Sequence, residues 1–402
     1  MQPRRVAVFG NMNNYPVILA EGLRALGCEV DFYVNRTEPM HRPESRDPSL
    51  AGGYPDWIHD VSAVTDEDFA FRTRPFLDLV AALRAKRYDL HILNDFGISL
   101  SEYLPSPQVA FLTGSDITYL ASFDSLELRS HAWQPEFRRS LEGAWSVRRF
   151  GEYVLRQRFG LQRATIVCGA APGLMPDADA ILDSIGVAQE RRHPLPLSDT
   201  GRVTPAQWPT AERLTILNGA RIQWMQTADE AYSSTDLKGT DRLLEGFATY
   251  RRAGGSGELR MVRKGPDVAP AEALIADLGV GDAVAWLDPM PLEGYRAEVA
   301  RAHIVCDGIG CCAGMVTRDG CAQGRPVLGA LGNAEWEPVL GEPMPGLEAH
   351  TADQVAERLL WAEREPEAVR SMGAAARDFV ERTMSPEHVA RRILELTSTL
   401  TA

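Results

Sequence analysis

The sequence predicts an α/β chain of two doubly wound, Rossmann-like domains facing each other across a cleft, and three observations lead there. Short apolar runs alternate with helical patterns along all 402 residues, the alternation breaks once in a proline-rich stretch between 187 and 212, and it then restarts in the same rhythm. Alternation of this kind implies mainly parallel sheets covered on both faces.

The first half opens with an apolar run from Val6 to Phe9 that reads as a strand. A helix follows, opened by Asn14-Tyr15-Pro16 with Pro in the first turn and closed by Gly27. Further strands are predicted over Glu29–Val34, Leu90–Leu93, Val109–Leu112 and Thr165–Cys168. The segment from Asn35 to Glu67 is rich in Pro, Arg and Asp without clear periodicity, and reads as an acceptor loop or a disordered excursion. Four prolines between Pro194 and Pro209 mark an interdomain connector and a candidate hinge. Strands are then predicted over Thr215–Leu217, Glu258–Val262, Ala283–Leu287, Ile304–Asp307 and Pro326–Gly329. The domains are therefore expected at 1–200 and 206–383, with 384–402 a terminal helix packing back toward the first. Ser385-Pro386-Glu387 opens that helix, and Val389, Ile393, Leu396 and Leu400 form its apolar stripe.

Composition narrows the function class. At 45% hydrophobic and 24% charged, each domain can bury a full core. A net charge of −13 argues against a nucleic-acid or anionic-membrane binder, although a local basic pocket is compatible with it. No window approaches 18 uninterrupted apolar residues, so no membrane span is expected. The apolar run after Arg4 and Arg5 stops at Gly10, too short for a signal-peptide core, and a cytoplasmic location is expected. Cys306, Cys311, Cys312 and Cys321 cluster without paired C-x2-C spacing and with only His303 near in sequence, so neither a metal site nor a cofactor is expected and the thiols read as small buried groups.

Basic residues are almost all arginine: Lys86, Lys238 and Lys264 are the only lysines among 42 Lys and Arg. A Lys before Gly in such a chain points to a need for a compact ammonium, which a planar guanidinium does not replace. Arg221 follows the strand at 215–217, and Lys238-Gly239 opens the next helical run, so both cations can reach a diphosphate at the sheet's carboxyl edge. Gly308, Gly310 and Gly314 form a loop after the strand at 304–307, ahead of a helix from Met315 that would offer N–H groups to an anion. Asp319 on that helix suits the vicinal hydroxyls of a ribose. In the first half, Gly10-Asn11-Met12-Asn13-Asn14 lies between strand and helix, where it is either a ligand loop or simply a capped turn.

From about Ile216 to Val380 these residues resemble the retaining nucleotide-sugar glycosyltransferases of the GT-B fold, family 4. Arg221, Lys238-Gly239, Gly265-Pro266-Asp267, the glycine loop and Gly324-Arg325-Pro326-Val327 occur in the expected order. The first half resembles the family more loosely, through Gly10 and Thr113-Gly114-Ser115-Asp116. The resemblance implies transfer of a hexosyl or related group from a nucleoside-diphosphate sugar to a small-molecule or saccharide acceptor, with retention; the bias of arginine over lysine, as in a high-GC coding sequence, suits a specialised-metabolite setting. It implies Arg221 and Lys238 as the cations of catalysis. Gly10, Asn11, Leu287, Asp307, Cys311, Cys312, Ala313, Gly314, Met315, Val316 and Asp319 would hold the donor, and Asn13, Asn14, Thr113 and Asp116 the acceptor. Within the family's E-x7-E pattern the second acid falls on Asp319, but the first falls on Cys311, and a histidine common before Gly-Ser-Asp is Thr113. Either the donor sugar has an unusual hydroxyl pattern, or Asp307 and Asp116 share the missing carboxylate's work, or catalysis is lost. A sugar-nucleotide 2-epimerase and a catalytically silent nucleotide-sugar-binding partner share the scaffold and are the alternatives.

Overall fold

A computed structural model describes residues 4–132, 134–225, 237–311 and 314–398, with the side chains of 128–132 left aside. The described residues divide into two units, 4–197 with 386–398, and 198–225 with 237–385. Both are three-layer α/β structures built on parallel sheets.

Unit 1 carries β1 (Arg5–Phe9), β2 (Glu29–Val34), β3 (Ile58–Asp60), β4 (Leu90–Leu93), β5 (Gln108–Phe111), β6 (Ile166–Gly169) and β7 (Arg192–Pro194). Their order is β3-β2-β1-β4-β5-β6-β7, parallel throughout. The order reverses between β1 and β4, so the loops leaving Phe9 and Leu93, paired in register, flank a switch point where open α/β sheets take ligands. Unit 2 carries β8 (Thr215–Asn218), β9 (Glu258–Val262), β10 (Val284–Leu287), β11 (Ile304–Cys306), β12 (Val327–Gly329) and β13 (Leu347–Glu348), ordered β10-β9-β8-β11-β12-β13. Here the switch lies between β8 and β11, with Asn218 beside Cys306. The strands are apolar because helices cover both faces: Val6, Phe32, Leu90, Ile92 and Val109 are fully buried in unit 1, as are Ile216, Leu217, Leu259, Ile304 and Leu328 in unit 2.

All the strands expected from the apolar runs form, each end falling within one residue of its expected place. β3, β7 and β13 were not expected. Their sequences Ile-His-Asp, Arg-His-Pro and Leu-Glu carry no apolar run, since edge strands need one buried face at most.

Two expectations are corrected. The proline-rich connector is not wholly a linker, because Arg192–Pro194 pairs with β6 and the chain beyond it is held by two buried arginines. Arg377 donates to Val203 O at 2.6 Å, and Arg325 to Ala300 O at 2.8 Å and to the carbonyls of Ala206 and Gln207. The segment 35–67 is ordered: short 3-10 turns at Pro39–His41, Pro43–Ser45 and Pro48–Gly52 precede β3, and Arg42 ties them together through Glu44 and Asp60 at 2.6 and 2.8 Å. Charge pairs and proline turns replace apolar periodicity there, which is why the sequence pattern gave no signal.

The last helix, Pro386–Ser398, belongs to unit 1 and crosses the helix Tyr15–Ala25 at Gly22, where an added Cβ would stand 2.3 Å from the Pro386 carbonyl. Of the expected stripe, Val389 and Ile393 are buried, with Ala390 and Thr397 beside them, and Leu396 is half-buried; Leu400 lies outside the described residues.

His91, on β4, is 1% exposed, and burial pushes its imidazole down to about 4. The unfolded chain binds its proton near 6.5 and the folded one only near 4. Its contribution is therefore complete above pH 6.5 and lost as pH falls to 4, by about 3 kcal/mol. Denaturant titrations across that window are expected to show a correspondingly shallower acid loss in His91→Leu; an unchanged slope would remove His91 from the account.

Candidate functional site

At the unit 2 switch point two loops meet. The first leaves β8 and runs through Gly219 to Met225, folded by Asp267, whose buried carboxylate accepts the N–H groups of Trp224 at 2.7 Å and Met225 at 2.8 Å. Asp267 of the Gly-Pro-Asp motif thus shapes the loop that carries Arg221. The second loop leaves β11 at Asp307.

Lys238 is fastened to both loops. Its N–H donates to Gln223 O at 2.7 Å on the first, and its carbonyl accepts Ile309 N at 2.8 Å and Gly310 N at 3.1 Å on the second. The next residue, Gly239, must be glycine: φ is +65°, and a Cβ there would stand 2.7 Å from Gly310 N. Gly239 also opens the helix Thr240–Arg252, whose Leu243, Leu244 and Phe247 anchor it in the core. With the backbone fixed, the Lys238 ammonium lies 3.2 Å from Cys311 Sγ and donates to it. The thiol thus stands beside Lys238 at the position where the resemblance expects a carboxylate.

Asp307 builds the second loop. One oxygen accepts Gly308 N at 2.8 Å; the other accepts Gly314 N at 2.8 Å, Thr317 N at 3.1 Å and the Thr317 hydroxyl at 2.7 Å. Two expectations change with this. The Gly314 N–H is committed to Asp307, so the first N–H groups of the helix Met315–Ala322 not given to Asp307 are those of Met315 and Val316, and the Asp307 carboxylate is already satisfied within its own loop. Cys312 and Ala313 lie outside the described residues.

Asp319 is 3% exposed on that helix. Its charge, after burial itself, raises the Tyr295 phenol well above its usual range, with Asp307 a further contributor. Tyr295 sits under the first loop, its hydroxyl 2.2 Å from where a Gly219 Cβ would be. Neither it nor Lys264 was singled out from sequence. Lys264 follows β9, and its carbonyl accepts Ile222 N at 2.6 Å, which sets it beside Arg221; burial and then the Arg221 charge lower its ammonium below the usual lysine range. The signal for Lys264 was available, since it is one of three lysines in the chain. For Tyr295 there was none. Leu287 ends β10, separated from β8 by β9, and its carbonyl accepts Arg263 N at 2.8 Å. Arg325 of the Gly-Arg-Pro-Val motif is 1% exposed and spends its guanidinium on backbone carbonyls, with Trp208 5.4 Å away. It is a structural clamp.

The unit 1 switch point is built the same way. Gly10 has φ +91°, and a Cβ would strike the Asn94 carbonyl at 2.2 Å. Asn11 is fully buried, donating to Asn14 Oδ1 at 2.7 Å and His41 O at 2.9 Å; Asn13 N donates to His41 Nδ1 at 3.1 Å. Asn14 precedes the helix in the left-handed region at φ +62°, and its amide donates to Met40 O at 3.0 Å and Ser45 Oγ at 2.9 Å. Asn11 Oδ1 accepts Val17 N at 3.2 Å in the first turn of the helix, so the Asn11 side chain is spent on the turn. Asp116 is fully buried beneath Thr113 and Gly114, accepting both their N–H groups at 2.9 and 3.0 Å and the Asn94 amide at 2.7 Å. Like Asp307, it organises a loop, so neither acid stands spare to replace the carboxylate missing at Cys311.

No protein-family model matches the chain, and no curated protein does. Solved structures do. Sucrose-phosphate synthase from Thermosynechococcus elongatus superposes with TM-score 0.59 at 16% identity, covering 99% of both chains. HepE from Anabaena, solved with UDP and glucose, gives 0.60 at 13% identity over 98% of this chain and 100% of its own. A glycosyltransferase from Rickettsia africae gives 0.57 at 11% identity over 100% of this chain and 99% of its own. The fold is that of the GT-B glycosyltransferases.

Proposed function

We propose that the protein is a retaining glycosyltransferase that moves a hexosyl or related group from a nucleoside-diphosphate sugar to a small-molecule or saccharide acceptor. The observation that carries this is Lys238, fixed by its backbone to both loops at the unit 2 switch point, with Arg221 and Lys264 on the adjoining strand ends. That HepE was solved with UDP-glucose supports a nucleotide-sugar donor. Arg221 and Lys238 hold the diphosphate, Met315 and Val316 present N–H groups to it, and Asp319 takes the ribose hydroxyls. Leu287 borders the base, Gly10 and Asn11 approach the donor, and Cys311, Cys312, Ala313 and the loop backbone meet the sugar. Asn13, Asn14 and Thr113, with Asp116 supporting Thr113, receive the acceptor. As the diphosphate departs, negative charge grows on it while the sugar becomes oxocarbenium-like; the two cations stabilise that charge without reorganising. A cytoplasmic, specialised-metabolite setting agrees with the sequence reading.

Thermal shift with nucleoside diphosphates and their sugars tests this, because a ligand at 100 times its Kd adds about 2.7 kcal/mol. Product from the responding donor, analysed by NMR for anomeric configuration, then tests retention. No shift with any nucleotide sinks the proposal, and binding without turnover across acceptors assigns a silent nucleotide-sugar-binding role instead.

Asp319→Asn is expected to weaken nucleotide binding by about 1.5–3 kcal/mol, as it loses a charge-assisted acceptor. A 2′-deoxyribose donor should lose less than a ribose donor. Equal losses, measured by calorimetry, would show that Asp319 does not hold the ribose.

A further inference from the structure

The helix Leu141–Arg163 of unit 1 has two apolar faces. One buries Gly143, Tyr153, Val154, Gln157, Gly160 and Leu161 against the unit 1 core. The other points outward, where Leu141 is 91% exposed, Trp145 44%, Leu155 38% and Phe159 45%. These four follow the i, i+4 and i+14, i+18 spacing of a single helical stripe opposite the core face, about 27 Å long from end to end. Trp145 is held flat on Phe71, ring centroids 4.8 Å apart, with the Arg148 guanidinium 5.8 Å from both rings.

Exposed arginines flank the same stripe. The chain carries −13 overall, but residues 138–163 contain seven arginines against Glu142 and Glu152. Arg138, Arg139, Arg148 and Arg163 are exposed and have no carboxylate partner among the described residues. The net charge that argued against an anionic surface is therefore an average that conceals a local excess of arginine over acid in residues 138–163.

We propose that this outward face docks the protein onto the surface of an anionic lipid bilayer. Long apolar and aromatic side chains with flanking arginines are the composition of a helix lying in the headgroup region: the apolar stripe enters the acyl boundary and the arginines meet lipid phosphates. Among the described residues no helix is long and apolar enough to cross a membrane, and the docking needs none.

Flotation of the full chain with vesicles provides the test. Binding is expected to vesicles containing phosphatidylglycerol, to fall with added salt, and to be absent from phosphatidylcholine alone. Leu141→Ser with Phe159→Ser, and separately Arg148→Glu with Arg163→Glu, should each weaken it by about tenfold or more. Melting temperature and nucleotide binding should stay at the wild-type values. The charge pair keeps the test valid if the apolar pair disturbs the helix. Failure of the wild type to float with anionic vesicles overturns the proposal, as does flotation that survives both double variants. Loss of a concentration-dependent dimer in these variants, without any flotation of the wild type, would reassign the face to a contact between copies.

Discussion

Alanine at Lys238 or at Arg221 is expected to lower glycosyl-transfer turnover by about 10²–10³-fold in each case, the usual cost of one electrostatic donor aimed at developing charge. The expectation rests on where Lys238 is held. Its backbone bridges the loops after β8 and β11, so the ammonium is delivered by the fold to the switch point. The helix Thr240–Arg252 behind it is anchored by its own core contacts, and Lys238→Ala should leave the melting temperature near wild type. Lys238→Arg should not restore full rate, because a planar guanidinium is wider than an ammonium and hydrogen-bonds in a fork. Steady-state kinetics with the donor found by thermal shift decides this. Wild-type turnover in both alanine variants would remove the two cations from the mechanism.

The architecture was legible because buried parallel strands must be apolar along their whole length. Runs such as Val-Ala-Val-Phe at β1 and Ile-Val-Cys at β11 therefore stand out without any partner information. Three of the four edge strands, β3, β7 and β13, were invisible for the opposite reason, and Arg192–Pro194 passed for a linker because Pro194 and Pro196 punctuate a stretch with one strand neighbour. The site was legible where a residue type is chemically forced: Lys238 before a left-handed glycine, Arg221 after a strand end. It was not legible where the same residue type serves two purposes. Asp307 and Asp116 read as ligand acids on sequence or family pattern, yet each spends its carboxylate on N–H groups of its own loop, as Asp267 does on the loop after β8. Nothing in one sequence separates an acid that binds a ligand from one that folds the loop around it. Three-dimensional hydrogen-bond accounting does.

Asp307 gives the sharpest use of that distinction. Asp307→Ala would leave the N–H groups of Gly308, Gly314 and Thr317, and the Thr317 hydroxyl, without their acceptor. Buried donors that lose a partner cost about 1–3 kcal/mol each, partly recovered where water enters, so a loss of about 3 kcal/mol or more is expected. For a unit of this size that lowers the melting temperature by about 6–12 °C. Asp307→Asn should fall between the two, because an amide oxygen can serve one cluster of donors while its NH2 group opposes the other. Nucleotide affinity should fall in both variants, since the loop also carries the partners of Lys238, Ile309 and Gly310. The decisive comparison is made on the ligand-free protein by calorimetric melting. An Asp307→Ala variant that melts like wild type and loses only nucleotide affinity would make Asp307 a direct contact to the donor; a variant already destabilised without ligand makes it the residue that builds the loop for Lys238 and Met315 to use.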